Sequence, residues 1–156
     1  MTVEIDPLDV LIVEDEVLVA VELGYIVRDA GCREVGHAMT SAEAVELARR
    51  LRPDLALVDV HLRDGPTGVE TARRILADCG GVALFMTANV TRLPPDYAGA
   101  CGVIGKPYSE ASVRAALGYL RVCLRQGRAP SLPPLGLTLA PRFSDLWGLG
   151  ALPQAV

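Results

Sequence analysis

Short, mostly apolar runs that each end on a polar side chain constrain this chain more than any other feature. Leu8 to Val13 closes on Glu14-Asp15-Glu16, Leu55 to Val58 closes on Asp59, and Val82 to Met86 closes on Thr87. A briefer run, Gly102 to Gly105, precedes Lys106. Such runs read as strands covered on both faces, as in a parallel sheet. Arg33 to Ala38 is a less hydrophobic strand and therefore belongs at an edge. The segments between the strands have helical spacing. Leu18, Val21 and Tyr25 form the expected inner face of the first helix, and Gly31 stops it. Thr40-x-x-Glu43 and Thr67-x-x-Glu70 read as capping boxes of two more helices. Their inner faces are Val45, Ala48 and Leu51, then Val69, Ala72, Ile75 and Leu76. Pro94-Pro95 keeps any helix between Val90 and Ala100 short. Ser109 caps a last helix with Val113, Ala116, Leu117, Leu120 and Leu124 inward. Five strands alternating with five helical segments predict an α/β fold, a doubly wound parallel sheet with helices on both faces. The strands that begin near Leu8, Leu55 and Val82 should be central.

Composition removes several function classes. A net charge of −4 argues against a nucleic-acid surface, which needs a clustered basic face. No run approaches the ~18 apolar residues of a membrane span. The acidic N-terminus does not resemble a secretory signal, and the four cysteines form no C-x-x-C pair. A soluble, cytoplasmic protein is expected. Residues 1–125 suffice for the α/β domain. Residues 126–156 hold five of eleven prolines, seven leucines and the sole tryptophan, Trp147, and are too short for an effector domain. This tail either packs on its own domain, stays disordered, or docks a partner or a second copy of the chain.

The strand ends of a parallel sheet lie on one edge, so Glu14, Asp15, Asp59, Thr87 and Lys106 should converge. Two carboxylates ~4 Å apart repel by roughly 4 kcal/mol at an effective dielectric of 20, so three need a cation or a proton. Lys106 is the one lysine among fifteen basic residues, a compact point charge where arginine is the default. An all-oxygen ligand set favours Mg²⁺ or Mn²⁺ over zinc. A hard metal, an ammonium and a hydroxyl together suit a phosphoryl group, with Asp59 best placed as nucleophile.

The motifs Leu11-Ile-Val-Glu-Asp-Glu16, Leu57-Val-Asp-Val-His-Leu62, Thr87 and Gly105-Lys-Pro-Tyr108 resemble the receiver domain of bacterial two-component response regulators. The resemblance covers roughly residues 7–125. It implies a flavodoxin-like five-stranded sheet of order 2-1-3-4-5. It also implies that Asp59 accepts a phosphoryl group from a sensor histidine kinase or a histidine phosphotransfer protein. Asp15, Asp59 and the backbone carbonyl of His61 would bind Mg²⁺ directly, and Glu14 through water. Lys106 would contact the phosphoryl oxygens, and Thr87 would report phosphorylation to the 90–108 face and a downstream protein partner. No effector domain follows in this reading, so the chain would act as a single-domain regulator, as a monomer or a homodimer. The segment after Thr87 partly resembles FATGUY-type stand-alone receivers, without the glycine after the threonine. Val103 stands where receivers usually carry an aromatic switch residue, and Tyr108 is the nearest substitute. His61 and Asn89 should rim the pocket, while His37 is structural or exposed. Two other readings compete. One is an adaptor that binds partners regardless of phosphate, through the 90–108 face or the tail. The other is a metal-dependent phosphohydrolase, disfavoured because Asp59-Val-His61 lacks a second acid two residues on.

Overall fold

A computed structural model describes residues 4–150, so residues 1–3 and 151–156 of the two expected regions lie outside it. The order is β1 (Asp9–Val13), α1 (Val17–Asp29), β2 (Arg33–Ala38), α2 (Ser41–Leu51), β3 (Leu55–Asp59), α3 (Gly68–Cys79) and β4 (Val82–Thr87). Two short 3₁₀ turns, Val90–Arg92 and Tyr97–Gly99, then lead to β5 (Gly102–Gly105), α4 (Glu110–Gln126), β6 (Leu137–Leu139) and α5 (Pro141–Leu146). Five strands run parallel in the expected order, with β2 at one edge. The sheet has six strands among the described residues, because β6 adds to β5 in the antiparallel sense.

Alternate residues of the buried strands feed two separate cores. Leu55 and Leu57 of β3 face α1 and α4, with Leu23, Ile26, Val27, Val113, Leu117 and Leu120. Ala56 and Val58 face α2 and α3, with Val45, Ala48, Ala72 and Ile75. Each face of β3 is therefore dry, which is why its sequence shows no polar alternation.

Three local readings change. The expected inner face of α1 is the outer one: Leu18 is 84% and Tyr25 66% exposed, while Ala20, Leu23, Ile26 and Val27 are buried. Both faces of this helix are apolar, so spacing alone does not choose between them. Thr67 precedes α3 without capping it; its hydroxyl donates to Asp64 Oδ1 at 2.8 Å. At α2, Thr40 accepts from the Glu43 N–H as expected, but the Glu43 carboxylate reaches the N–H of Met39 rather than that of Thr40. Ser109 and Ser112 complete a reciprocal cap at α4.

The prolines break the segment after Thr87 as expected. Tyr97, Ala98 and Gly99 are three consecutive residues at positive φ, a left-handed turn that replaces a helix. Beyond α4 the chain packs back. Leu137, Leu139 and Trp147 enter the α1–α4 core.

Candidate functional site

The C-terminal ends of β1 and β3 bring the acids together. One carboxylate oxygen each from Glu14, Asp15 and Asp59 lies within 4.8 Å of the other two. Glu14 and Asp59 are buried, and Asp15 is partly exposed. Lys106, immediately after β5, reaches in: its Nζ lies 2.8 Å from Asp59 Oδ2 and 3.7 Å from Glu14 Oε2. The backbone N–H of His61 donates to Asp59 Oδ1 at 3.0 Å. One donor on each oxygen fixes the rotation of the Asp59 carboxylate.

Burial pushes the Glu14 carboxyl up to about 8, and the hydrogen bond and negative charge of neighbouring Asp59 add to the shift. Glu14 thus shares a proton with this cluster near neutral pH, which relieves the repulsion between crowded carboxylates. Burial works against the Lys106 ammonium, but its hydrogen bond to Asp59 and the charges of Asp59 and Glu14 outweigh it and hold its pKa above the usual value.

The loop that carries Asp59 is positioned by a close backbone approach. A Cβ on Gly68 would overlap the carbonyl oxygen of Asp59 and lie 2.5 Å from Val60 Cα, so only glycine lets α3 begin here. The Gly68 N–H donates to the Val60 carbonyl at 2.9 Å.

Thr87 ends β4 beside this cluster. It is 3% exposed, and its hydroxyl accepts from the Asn89 N–H at 3.1 Å. The main-chain carbonyl of Thr87 accepts from the Lys106 N–H at 2.8 Å, so the Thr87 hydroxyl and the Lys106 ammonium sit on hydrogen-bonded neighbours. A cleft of about 190 Å³ opens next to them, lined by Val60, His61, Thr87, Asn89, Arg92 and Leu93 among others. His61 and Asn89 both line this cleft, and the His61 main chain contacts Asp59. Val103 is buried in the α2–α3 core, and Tyr108 is half-buried against the other one.

Spacing does not single out two participants. His37 lies within hydrogen-bond distance of the Glu14 carbonyl, Nε2 to oxygen 2.7 Å, and so braces the acidic loop from β2. Arg92 lines the cleft, in a segment where the following prolines obscure any periodic signal. Their roles depend on loop paths that no local pattern encodes.

The donor set is all carboxylate, with no thiol or imidazole among the clustered atoms. That chemistry fits a hard divalent cation and not a soft one.

Comparison with known proteins places the chain in a family. The model of the response regulator receiver domain matches residues 10–118. The chain is 34% identical over 111 residues to the phyllosphere-induced regulator PhyR of Methylorubrum extorquens, covering 70% of this chain and 42% of that one. It is 35% identical over 114 residues to the transcriptional regulatory protein PdtaR of Mycobacterium tuberculosis, covering 71% and 55%. The chain thus spans about half the length of these curated relatives. The solution structure of the Erythrobacter litoralis PhyR receiver domain superposes with a TM-score of 0.62 at 28% identity, covering 83% of this chain and 97% of that one. A doubly substituted variant of the anti-anti-sigma factor PhyR of Bartonella quintana gives 0.66 at 30% identity, covering 78% and 50%. Fold, acidic cluster and family match converge: the chain belongs to the response regulator receiver domain family.

Proposed function

We propose that the chain is a phosphorelay receiver that accepts a phosphoryl group on Asp59 from a phosphohistidine and signals through altered protein contacts. The observation that carries this reading is the sole lysine, held 2.8 Å from Asp59 inside a buried carboxylate cluster. Glu14, Asp15 and Asp59, with the His61 carbonyl, would hold Mg²⁺ or Mn²⁺, which supplies charge neutralisation to the phosphoryl oxygens when bound. Asp59 attacks phosphorus; the donor's N–P bond breaks as an Asp59 O–P bond forms, and the freed imidazole leaves. Lys106 offers an ammonium to the transferred oxygens. The Thr87 hydroxyl, which accepts only a main-chain N–H among the described residues, is free to turn toward them. His61 and Asn89 at the rim control access of the water that later hydrolyses the acyl phosphate.

Incubation with acetyl phosphate and Mg²⁺ should add one phosphoryl group by intact mass, and Asp59→Asn should add none. A wild type that takes none from acetyl phosphate or from a phosphorylated histidine donor overturns the proposal.

A second reading, a phosphate-independent adaptor, is favoured by one observation: Val103 is small and fully packed, so the usual aromatic relay from Thr87 is missing. One similar structure is that of an anti-anti-sigma factor, and this chain would likewise have another protein as its target. Equal partner affinity for wild type and Asp59→Ala would select this reading.

A further inference from the structure

Strand β5 touches both the carboxylate site and the segment that follows α4. At its C-terminal end Gly105 pairs with Thr87, and the next residue, Lys106, donates its N–H to Thr87 and its ammonium to Asp59. Along its other edge it carries β6, through Gly102–Leu139, Val103–Thr138 and Ile104–Leu137.

The β6 contact is short and closely fitted. It has three residue pairs and is anchored by buried Leu137, Leu139 and Trp147. A Cβ on Gly102 would overlap the Thr138 carbonyl oxygen and lie 3.1 Å from Leu139 Cα. Glycine at 102 is thus what admits β6. Around this anchor the Tyr119 hydroxyl donates to the Ser131 carbonyl, the Ala129 N–H to that of Trp147, and the Ala140 N–H to that of Cys101. The same segment leaves Leu132, Leu135 and Leu146 in water, at 69%, 94% and 62% exposure.

Resting on the phosphoacceptor reading above, we infer that residues 137–147 form a displaceable cap on the outer edge of β5, released when Asp59 is phosphorylated. Phosphorylation draws Lys106 and Thr87 toward the new oxygens. Both are tied to β5 by main-chain bonds, so the strand shifts against β6, whose only sheet partner among the described residues it is. With Val103 in place of an aromatic relay, this strand edge offers the site a second surface besides the cleft beside Thr87. Release bares the β5 edge, where a partner's extended segment can add in place of β6.

Hydrogen exchange of the full chain tests this, with and without Mg²⁺ and beryllofluoride as phosphoryl mimic, alongside intact mass after acetyl phosphate. The amides of 137–140 should exchange about fivefold faster or more with the mimic, the lower range of ordinary site-to-site coupling. Gly102→Ala should expose the same amides without the mimic and, because coupling is reciprocal, tighten beryllofluoride binding by the same factor. Leu139→Ser weakens the cap while leaving every residue of β5 unchanged and should act in the same direction. Phosphoryl incorporation with unchanged exchange at 137–140 overturns the cap while the phosphoacceptor reading stands. So does a freed tail in both variants with unchanged mimic affinity. Absence of incorporation overturns both.

Discussion

Glu14 is the residue at which burial and charge crowding are most visible. Its carboxyl titrates at about 8 in the fold, against 4.5 for an ordinary glutamate. The folded state therefore keeps a proton that the unfolded chain has lost, and stability falls as pH rises between these values. Glu14 is 2% exposed, so the effect is on the order of a few kcal/mol for a shift of this size. In EDTA, urea unfolding should show wild-type stability declining from pH 5 to pH 8, and Glu14→Gln should flatten that slope. Mg²⁺ should stabilise the wild type more at pH 8 than at pH 5, because metal binding requires deprotonated ligands. The type of each residue in this cluster was legible in the sequence. The raised pKa of Glu14 was not, since it depends on how deeply the fold buries that carboxyl and on its contact with Asp59.

At the scale of elements, α1 and α3 show how far a local pattern reaches. Helix α1 has apolar residues around most of its circumference, and packing selected Leu23, Ile26 and Val27 over Leu18, Val21 and Tyr25. Leu18→Ser should therefore change stability by no more than about 0.5 kcal/mol, whereas Leu23→Ala should cost about 2–5 kcal/mol by thermal or urea unfolding. The start of α3 depends on a glycine that no capping rule anticipates. Gly68→Ala forces a methyl against the Asp59–Val60 backbone and should cost about 1–3 kcal/mol. It should also slow phosphoryl incorporation, because the displaced backbone carries Asp59, the proposed phosphoacceptor. By contrast, the strand assignments hold within a residue or so, since β1, β3 and β4 are buried on both faces and leave an unambiguous signal.

For the whole molecule, the segment after α4 completes the sheet and the α1–α4 core. Trp147 is 4% exposed and packs on Phe143 with ring centroids 5.1 Å apart, so Trp147→Ala should lower stability by about 3–5 kcal/mol in urea. Leu135→Ala, at a side chain 94% exposed, should leave it within about 0.5 kcal/mol. Composition alone left this segment open between packing, disorder and docking. Its partners include Cys101, Gly102, Val103 and Ile104 on the β5 side and Tyr119 on α4, and even the nearest of these contacts spans 12 residues of sequence.

The sequence by itself determined the alternation of strands and helices, the strand order through family resemblance, and the set of groups at the strand ends. The alternation and the strand-end groups are encoded locally, in runs of apolar residues and the polar side chain that ends each run. Tertiary structure decided which face of α1 is buried, which carboxylate keeps a proton, and where β6 and Trp147 settle. Each of those outcomes depends on what a residue meets across the fold, and only packing sets that.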